Sequence, residues 1–352
     1  MPDYREHYYP NTEPLAADEM RVIALGTGRP FLRPAQANAG WLVELGNGDK
    51  FMFDFGFGTQ MNFSALEIPY QEITAYFATH LHTDHVGDFA QIWVGSWVGG
   101  RYTPLHMYGP SGPVAKYGFR HFVEKQRESY AWDTDTRVGF MPAVGAEVEA
   151  HEFDYSKVHA IYEKNGVRIT SFPAVHIYDG PVSFRLDWNG RSLVYSGDTT
   201  PSYFMVDNAK GVDLLIHEAF NTVKQLMERS GYDERSARGI GTIVHSAPDE
   251  AGKVLELCTP RLAAVFHFFN DFDTAPEMEA DLRRHYKGPL VLAKDLMVFN
   301  VTKERIVTRM AATSRHVWPN KKHHDEGLRT APRKERMQMS HWLADRQIFP
   351  KF

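Results

Sequence analysis

The sequence predicts an α/β fold. Strand-like and helix-like stretches alternate along the chain, hairpins turning on glycine sit beside them early on, and one strand after another ends in a histidine, aspartate or glutamate. Functional groups gathered at strand ends are where such scaffolds build sites. The 352 residues, 43% hydrophobic and 24% charged, suffice for one large domain or two modest ones with a sizeable core.

Residues 1–19 are polar, with Pro10 and Pro14, and read as an arm. Residues 20–28 read as a strand closing on a glycine turn. Residues 41–45, Gly46-Asn47-Gly48 and residues 51–55 read as a hairpin, closed by Asp54 and the glycines at 56 and 58. Residues 73–79 form a buried strand that delivers His80. Residues 86–98, apolar with two tryptophans, begin a helix. A short strand and turn follow over 105–113, then a helix over 114–130. Residues 131–165 show no clear pattern and are read as an insertion over the site. Residues 167–176 are a strand ending at His176. Residues 182–188, Asn189-Gly190 and residues 192–196 form a second hairpin, leading to Asp198. Residues 212–218 are a strand ending at Glu218. Residues 246–258 are a helix with Asp249 and Glu250 near its start, which complements the helix dipole. Residues 262–267 are a strand ending at His267. No repeat of fixed period and no low-complexity stretch interrupts this order.

The densest signal is Thr79-His-Leu-His-Thr-Asp-His-Val-Gly-Asp88. Imidazole nitrogens and carboxylate oxygens are the ligands a zinc-type ion takes. His80 and His82 alternate on a strand end and share a face. Asp84 and His85 follow where the chain turns and can reach a second ion, and Gly87 suits a tight turn into a helix. A solvated loop with chance histidines is the bland alternative, and it fits this density poorly.

Bulk composition narrows the rest. The formal net charge of −5 argues against a general polyanion binder. Residues 303–352 carry 12 Lys+Arg against 5 Asp+Glu, while the rest of the chain carries 27 against 39. Three segments are therefore expected: an arm (1–19), a body (20–302) and a basic extension (303–352), which is either a solvated tail or a clasp on the body or another subunit. One cysteine, Cys258, rules out an intrachain disulfide and a Cys-rich zinc site, so the 17 histidines must carry any metal chemistry. No stretch approaches the ~20 apolar residues of a membrane span. The start lacks a basic segment followed by an apolar run, so a cytoplasmic protein without membrane contact is expected, although a trimmed secretory chain would read the same.

His176 precedes Ile-Tyr-Asp-Gly, Asp198 sits in Tyr-Ser-Gly-Asp-Thr, and His267 sits in Val-Phe-His-Phe. With the opening motif, in this order and spacing, these residues resemble the ligand set of the metallo-β-lactamase superfamily. Leu25-Gly-Thr-Gly, Asp54-Phe-Gly-Phe-Gly-Thr-Gln60, His217-Glu-Ala and His245-Ser-Ala resemble its ribonuclease Z and zinc arylsulfatase branch. The resemblance covers about residues 20–300. It implies a four-layer αβ/βα sandwich with two divalent metal ions at one edge. One ion would take His80, His82, His176 and Asp198, the other Asp84, His85, His267 and Asp198. Asp198 bridges, as a carboxylate can between two cations ~3.5–4 Å apart. A histidine at 82, where oxygen-reducing diiron relatives carry a glutamate, favours zinc, with manganese or iron as alternatives.

The catalytic candidates are His245, Glu218 and Asp84. Glu218 would fix the tautomer of His245 and raise its pKa, and His245 would protonate the leaving oxygen; a structural His–Glu pair is the alternative. Asp54 is either the residue that orients a ligand histidine or a plain turn aspartate. The Gly26-Thr-Gly28 turn lacks the third glycine of a nucleotide loop and reads as packing. Trp93, Trp97, Tyr102, Tyr178, Phe220, Phe268 and Phe269 flank the motifs and would line an aromatic mouth, with core packing as the alternative for each.

The expected function is hydrolysis of a phosphoester or sulfate ester of a small, aryl or hydrophobic substrate by a metal-bridging hydroxide. Binding to metal can lower a water's pKa from 15.7 to about 7. The alternatives are a tRNA 3′-processing endonuclease and a lactonase or carboxylic ester hydrolase using Tyr178 or Tyr203. Nucleic acid is the less favoured partner, because the stretch from Lys116 to Lys164 lacks a basic Gly/Pro-rich arm and the body is acidic. A homodimer is expected from the resemblance.

Overall fold

In β2 (Met20–Gly26), Met20, Val22 and Ala24 face one apolar cluster and Ile23 and Leu25 another, and all seven residues are buried. In β3 (Gly40–Leu45), Trp41, Val43 and Leu45 face the first cluster and Leu42 the second. Strands apolar on both faces require cover on both faces, which only a layered fold supplies. The computed structural model, which describes residues 4–318 and 337–349, has that arrangement.

Among the described residues, one sheet runs β1 (His7–Tyr8), β16 (Ile306–Ala311), β15 (Met297–Val301), β2, β3, β4 (Lys50–Phe53), β5 (Ala75–Phe77), β6 (Leu105–Pro110), β7 (Val148–Phe153). The other runs β14 (Leu290–Leu292), β13 (Leu262–Phe266), β12 (Leu214–Glu218), β11 (Arg191–Tyr195), β10 (Val182–Trp188), β9 (Val167–Pro173), β8 (His159–Lys164). Between the sheets lie Trp41, Phe51, Phe53, Phe77, Phe184, Tyr195, Phe266 and Phe299. Phe63, Phe89, Trp93 and Phe119 cover the outer face of the first sheet. Met205, Val254, Leu255, Met278 and Leu282 cover that of the second, from helices Tyr203–Ala209, Pro248–Cys258 and Ala275–Leu282. The result is the expected α/β sandwich of four layers.

Both anticipated hairpins form. Asn189 and Gly190 have φ of 47° and 69°, both left-handed, as a two-residue hairpin turn requires. Helix Pro248–Cys258 starts two residues later than expected, at a proline, with the Glu250 carboxylate accepting from the Ala247 N–H.

The segments at the two ends come out differently from expectation. The arm and the start of the extension belong to the first sheet: β1 pairs in parallel with β16, which pairs with β15. Arg309 grips Glu13 at 3.0 Å, and the buried Arg21 pairs with Glu44 at 3.3 Å. The edges expected at 19/20 and 302/303 thus fall inside one continuous sheet. The rest of the basic extension lies partly outside the described residues. Residues 131–165 are not a separate insertion over the site: they include β7 and β8, an edge strand of each sheet.

Candidate metal centre

The loops after the strand ends meet along one seam between the sheets. The first sheet supplies Asp54 after β4 and His80, His82, Asp84 and His85 after β5, the last two in a short helix, Thr83–Val86. The second supplies His176 after β9, Asp198 after β11, Glu218 at the end of β12 and His267 after β13. Gly197 (φ 57°) lets this seam close: a Cβ there would lie 2.7 Å from Thr79. Asp54 and His267 hold left-handed φ of 54° and 72°, strained for residues other than glycine.

Hydrogen bonds remote from the centre fix which nitrogen of His80, His85 and His176 faces it. His85 Nδ1 donates to Asp54 Oδ2 at 2.7 Å, and His176 Nδ1 donates to the Val244 carbonyl at 2.8 Å. His80 Nδ1 sits 3.1 Å from Thr79 Oγ1, whose own proton goes to Asp54 at 2.8 Å. Each turns its Nε2 inward, the orientation that a metal ligand needs.

Those inward atoms form two groups around one carboxylate. His80 Nε2 and His82 Nδ1 are 3.0 Å apart, and His82 Nδ1 and His176 Nε2 3.3 Å. Both Nε2 atoms lie 3.8 Å from Asp198 Oδ2. In the second group, His85 Nε2 and His267 Nε2 lie 3.2 and 3.3 Å from Asp198 Oδ1. They lie 3.6 and 3.2 Å from Asp84 Oδ2. A tetrahedral ion with ligands at ~2.0–2.1 Å has ligand–ligand edges of about 3.3–3.4 Å, close to this spacing. Asp198 offers a different oxygen to each group, the requirement for a bridge. His80, His82, Asp84, His85, His176, Asp198 and His267, all expected as ligands, are thus brought together.

The electrostatics fit cations. Burial, with the neighbouring imidazoles, holds His80, His82 and His176 below their usual pKa, so their lone pairs are free. Asp198 lies well below the carboxylate range: burial opposes this, but His267 and His85 outweigh it. Burial also opposes charge on His85, yet Asp198, Asp54 and Asp84 raise its pKa well above the ordinary value. The cluster is short of positive charge. His85 Nε2 and Asp198 Oδ1 are buried without a hydrogen-bond partner, which divalent ions would resolve.

His245 Nδ1 lies 3.1 Å from Glu218 Oε1, which also accepts from the Thr199 N–H at 2.9 Å. Burial lowers the His245 pKa, but the charge and hydrogen bond of Glu218, with Asp198 and Asp84, raise it overall. Phe220 stacks flat on His245, centroids 4.3 Å apart, and fixes the ring plane.

The aromatic mouth differs from expectation. Trp93 and Trp97 are core residues, their indole N–H groups spent on the Ala146 and Pro142 carbonyls, and Phe268 is buried. Phe269 packs beneath Arg29 and Arg33. Tyr178 does stand at the opening, in edge contact with Tyr117 (6.4 Å), a residue that sequence reasoning missed because it sits in a short turn of helix before Phe119–Ser129. The two line a cavity of about 180 Å³ with His80, His82, His176 and Pro110. Tyr203 begins its helix, 81% exposed, away from that lining. Among the described residues no helix is long and apolar enough to cross a membrane.

Residues 49–268 match the beta-lactamase superfamily domain. The chain is 28% identical over 270 residues to a ribonuclease Z of Mycobacterium sp. (strain KMS), covering 75% of this chain and 88% of that one. It superposes on the metallo-beta-lactamase fold protein YhfI from Bacillus subtilis with TM-score 0.60 at 17% identity, covering 81% and 100%. It also superposes on the short form of human tRNase Z with TM-score 0.58 at 20% identity, covering 79% and 98%.

Proposed function

The chain belongs to the beta-lactamase superfamily, in its ribonuclease Z-like branch, and from that premise we propose that it is a metal-dependent hydrolase cleaving a phosphoester, or a sulfate ester, of a small aryl-bearing substrate. The observation that carries the substrate class is the cavity of about 180 Å³ opening between Tyr117 and Tyr178 directly onto His80, His82 and His176. Such a volume suits one aryl group beside a tetrahedral centre and leaves the rest of a larger ligand outside.

His80, His82, His176 and Asp198 Oδ2 would hold one divalent ion, zinc by ligand type, and Asp84, His85, His267 and Asp198 Oδ1 a second. When bound, such a pair polarises the ester, makes water more acidic and neutralises charge on the non-bridging oxygens. The chain's own groups do the rest. Asp54 and Val244 hold the ligand rings in register through His85 and His176. Glu218 raises the His245 pKa and so favours the imidazolium, whose Nε2–H can pass a proton to the departing oxygen. Tyr117 and Tyr178 offer ring faces to an aryl leaving group.

The test is a substrate panel on zinc-loaded protein: a bis-aryl phosphodiester, an aryl sulfate, a phosphotriester, a lactone and precursor tRNA. Turnover of the diester or sulfate, abolished in Asp198→Ala, is expected; cleavage of the lactone alone would overturn the reading. A second reading, tRNA 3′ processing, is favoured by the ribonuclease Z relatives. Site-specific cleavage of precursor tRNA with no diester turnover would select it.

A further inference from the structure

Away from the seam, at the edge of the first sheet and on the face it turns toward the second, another group of ligand-type side chains meets. We propose that His106, Glu149 and His151 form a separate zinc site that staples β7, the edge strand, to β6.

The strand register builds it. β6 and β7 are parallel, with His106 opposite Glu149 and Tyr108 opposite His151. Opposed residues of a ladder share a face, as do residues two apart, so all four stand on one side. Glu149 Oε2 lies 3.2 Å from His106 Nδ1 and 3.8 Å from His151 Nε2, and the two nitrogens are 3.4 Å apart. The triangle has the size of one face of a zinc tetrahedron, whose edges are about 3.3–3.4 Å for ligands at ~2.0–2.1 Å. Two imidazoles and a carboxylate are a zinc-type set, whereas magnesium and calcium prefer oxygen throughout.

The surroundings agree. The side chains are 43%, 50% and 39% exposed, which leaves the fourth position open to water and to an arriving ion. Tyr108 stacks on His151 with centroids 4.4 Å apart and 20° between planes, holding the ring that must aim Nε2 inward.

The site has a mechanical purpose. Among the described residues β7 has β6 as its one ladder partner, and its other edge is open. An edge strand so placed is the first to fray. An ion bridging His106 to Glu149 and His151 closes the long connection between the two strands and ties that edge down. β6 ends at Pro110, which lines the substrate cavity, so the staple also steadies one wall of the mouth.

The experiment compares wild-type protein with Glu149→Gln, both equilibrated at a fixed micromolar free zinc concentration, with metal counted by mass spectrometry and folding checked by circular dichroism. Wild type is expected to hold one zinc more per chain than Glu149→Gln, and zinc to raise the melting temperature of wild type more. His106→Gln serves as the second variant should Glu149→Gln fail to fold. The same one-zinc difference is expected when both proteins also carry Asp198→Asn, which separates this site from the seam. Equal zinc contents in the folded proteins would overturn the proposal and leave His106 and Glu149 as a hydrogen-bonded pair.

Discussion

Asp54 Oδ2 and His85 Nδ1 lie 2.7 Å apart with no exposed surface on either residue. The same oxygen accepts from the Tyr195 hydroxyl at 2.7 Å, and its companion accepts from the Thr79 N–H at 2.7 Å. One carboxylate thus orients a ligand imidazole, the loop that carries His80, and a tyrosine from the opposite sheet.

Asp54→Asn should therefore keep the fold and weaken metal binding. Asparagine tolerates the left-handed φ of 54° but loses the charge. Loss of such a supporting carboxylate typically costs about 10–100-fold in metal affinity. Competition with a zinc chelator measures it; unchanged affinity would demote Asp54 to a turn residue.

His245→Gln should leave metal content unchanged and lower kcat by ~10²–10⁴, most for poor leaving groups. An equal loss across a series of aryl leaving groups would count against proton donation.

Glu218→Gln should move the pH profile in a defined direction. Glu218 raises the His245 pKa, and in the proposed role the acid form is the one that donates, so kcat should fall as pH rises through that pKa. Without the carboxylate the pKa drops, and the alkaline limb should shift to lower pH. A limb that stays in place would assign it to another group.

Tyr178→Ala should raise KM for aryl esters about 2–13-fold, the range of ~0.5–1.5 kcal/mol for one aromatic contact, while sparing kcat for alkyl esters. Steady-state kinetics on matched aryl and alkyl diesters decides it.

Phe53→Ala should cost about 3–5 kcal/mol, because Phe53 is fully buried between the sheets. Its ring stacks on Phe77 with centroids 5.2 Å apart, so the loss leaves a cavity at the inter-sheet layer. Urea titration followed by tryptophan fluorescence reads the change.

Central strands and the residues that end them were legible because their signals are local. β5, β12 and β13 are short runs apolar on both faces, and each delivers its functional group within a few residues of the strand end. The edges were not legible. β7 shows only half-buried and exposed residues, with no alternation to read. β8 is similar, yet Asn165-Gly166, with φ of 53° and 75°, is the same hairpin signal that identified the β10–β11 turn and would have revealed it. β1 and β16 lie in segments whose polarity disguised them, since their partners come from opposite ends of the chain. Proximity in sequence also misled: Trp93 and Trp97 follow the histidine motif closely, but the helical turn points them into the core.

Each candidate ion would draw two ligands from one sheet and two from the other, with Asp198 counted in both sets. Neither layer alone can assemble either cage. On the proposed assignment, the chain would stay chemically mute during synthesis until His267 has emerged and the layers have docked. Thereafter the centre would act as a gauge of their alignment, so a slip of one layer across the other would silence the chemistry long before the fold came apart.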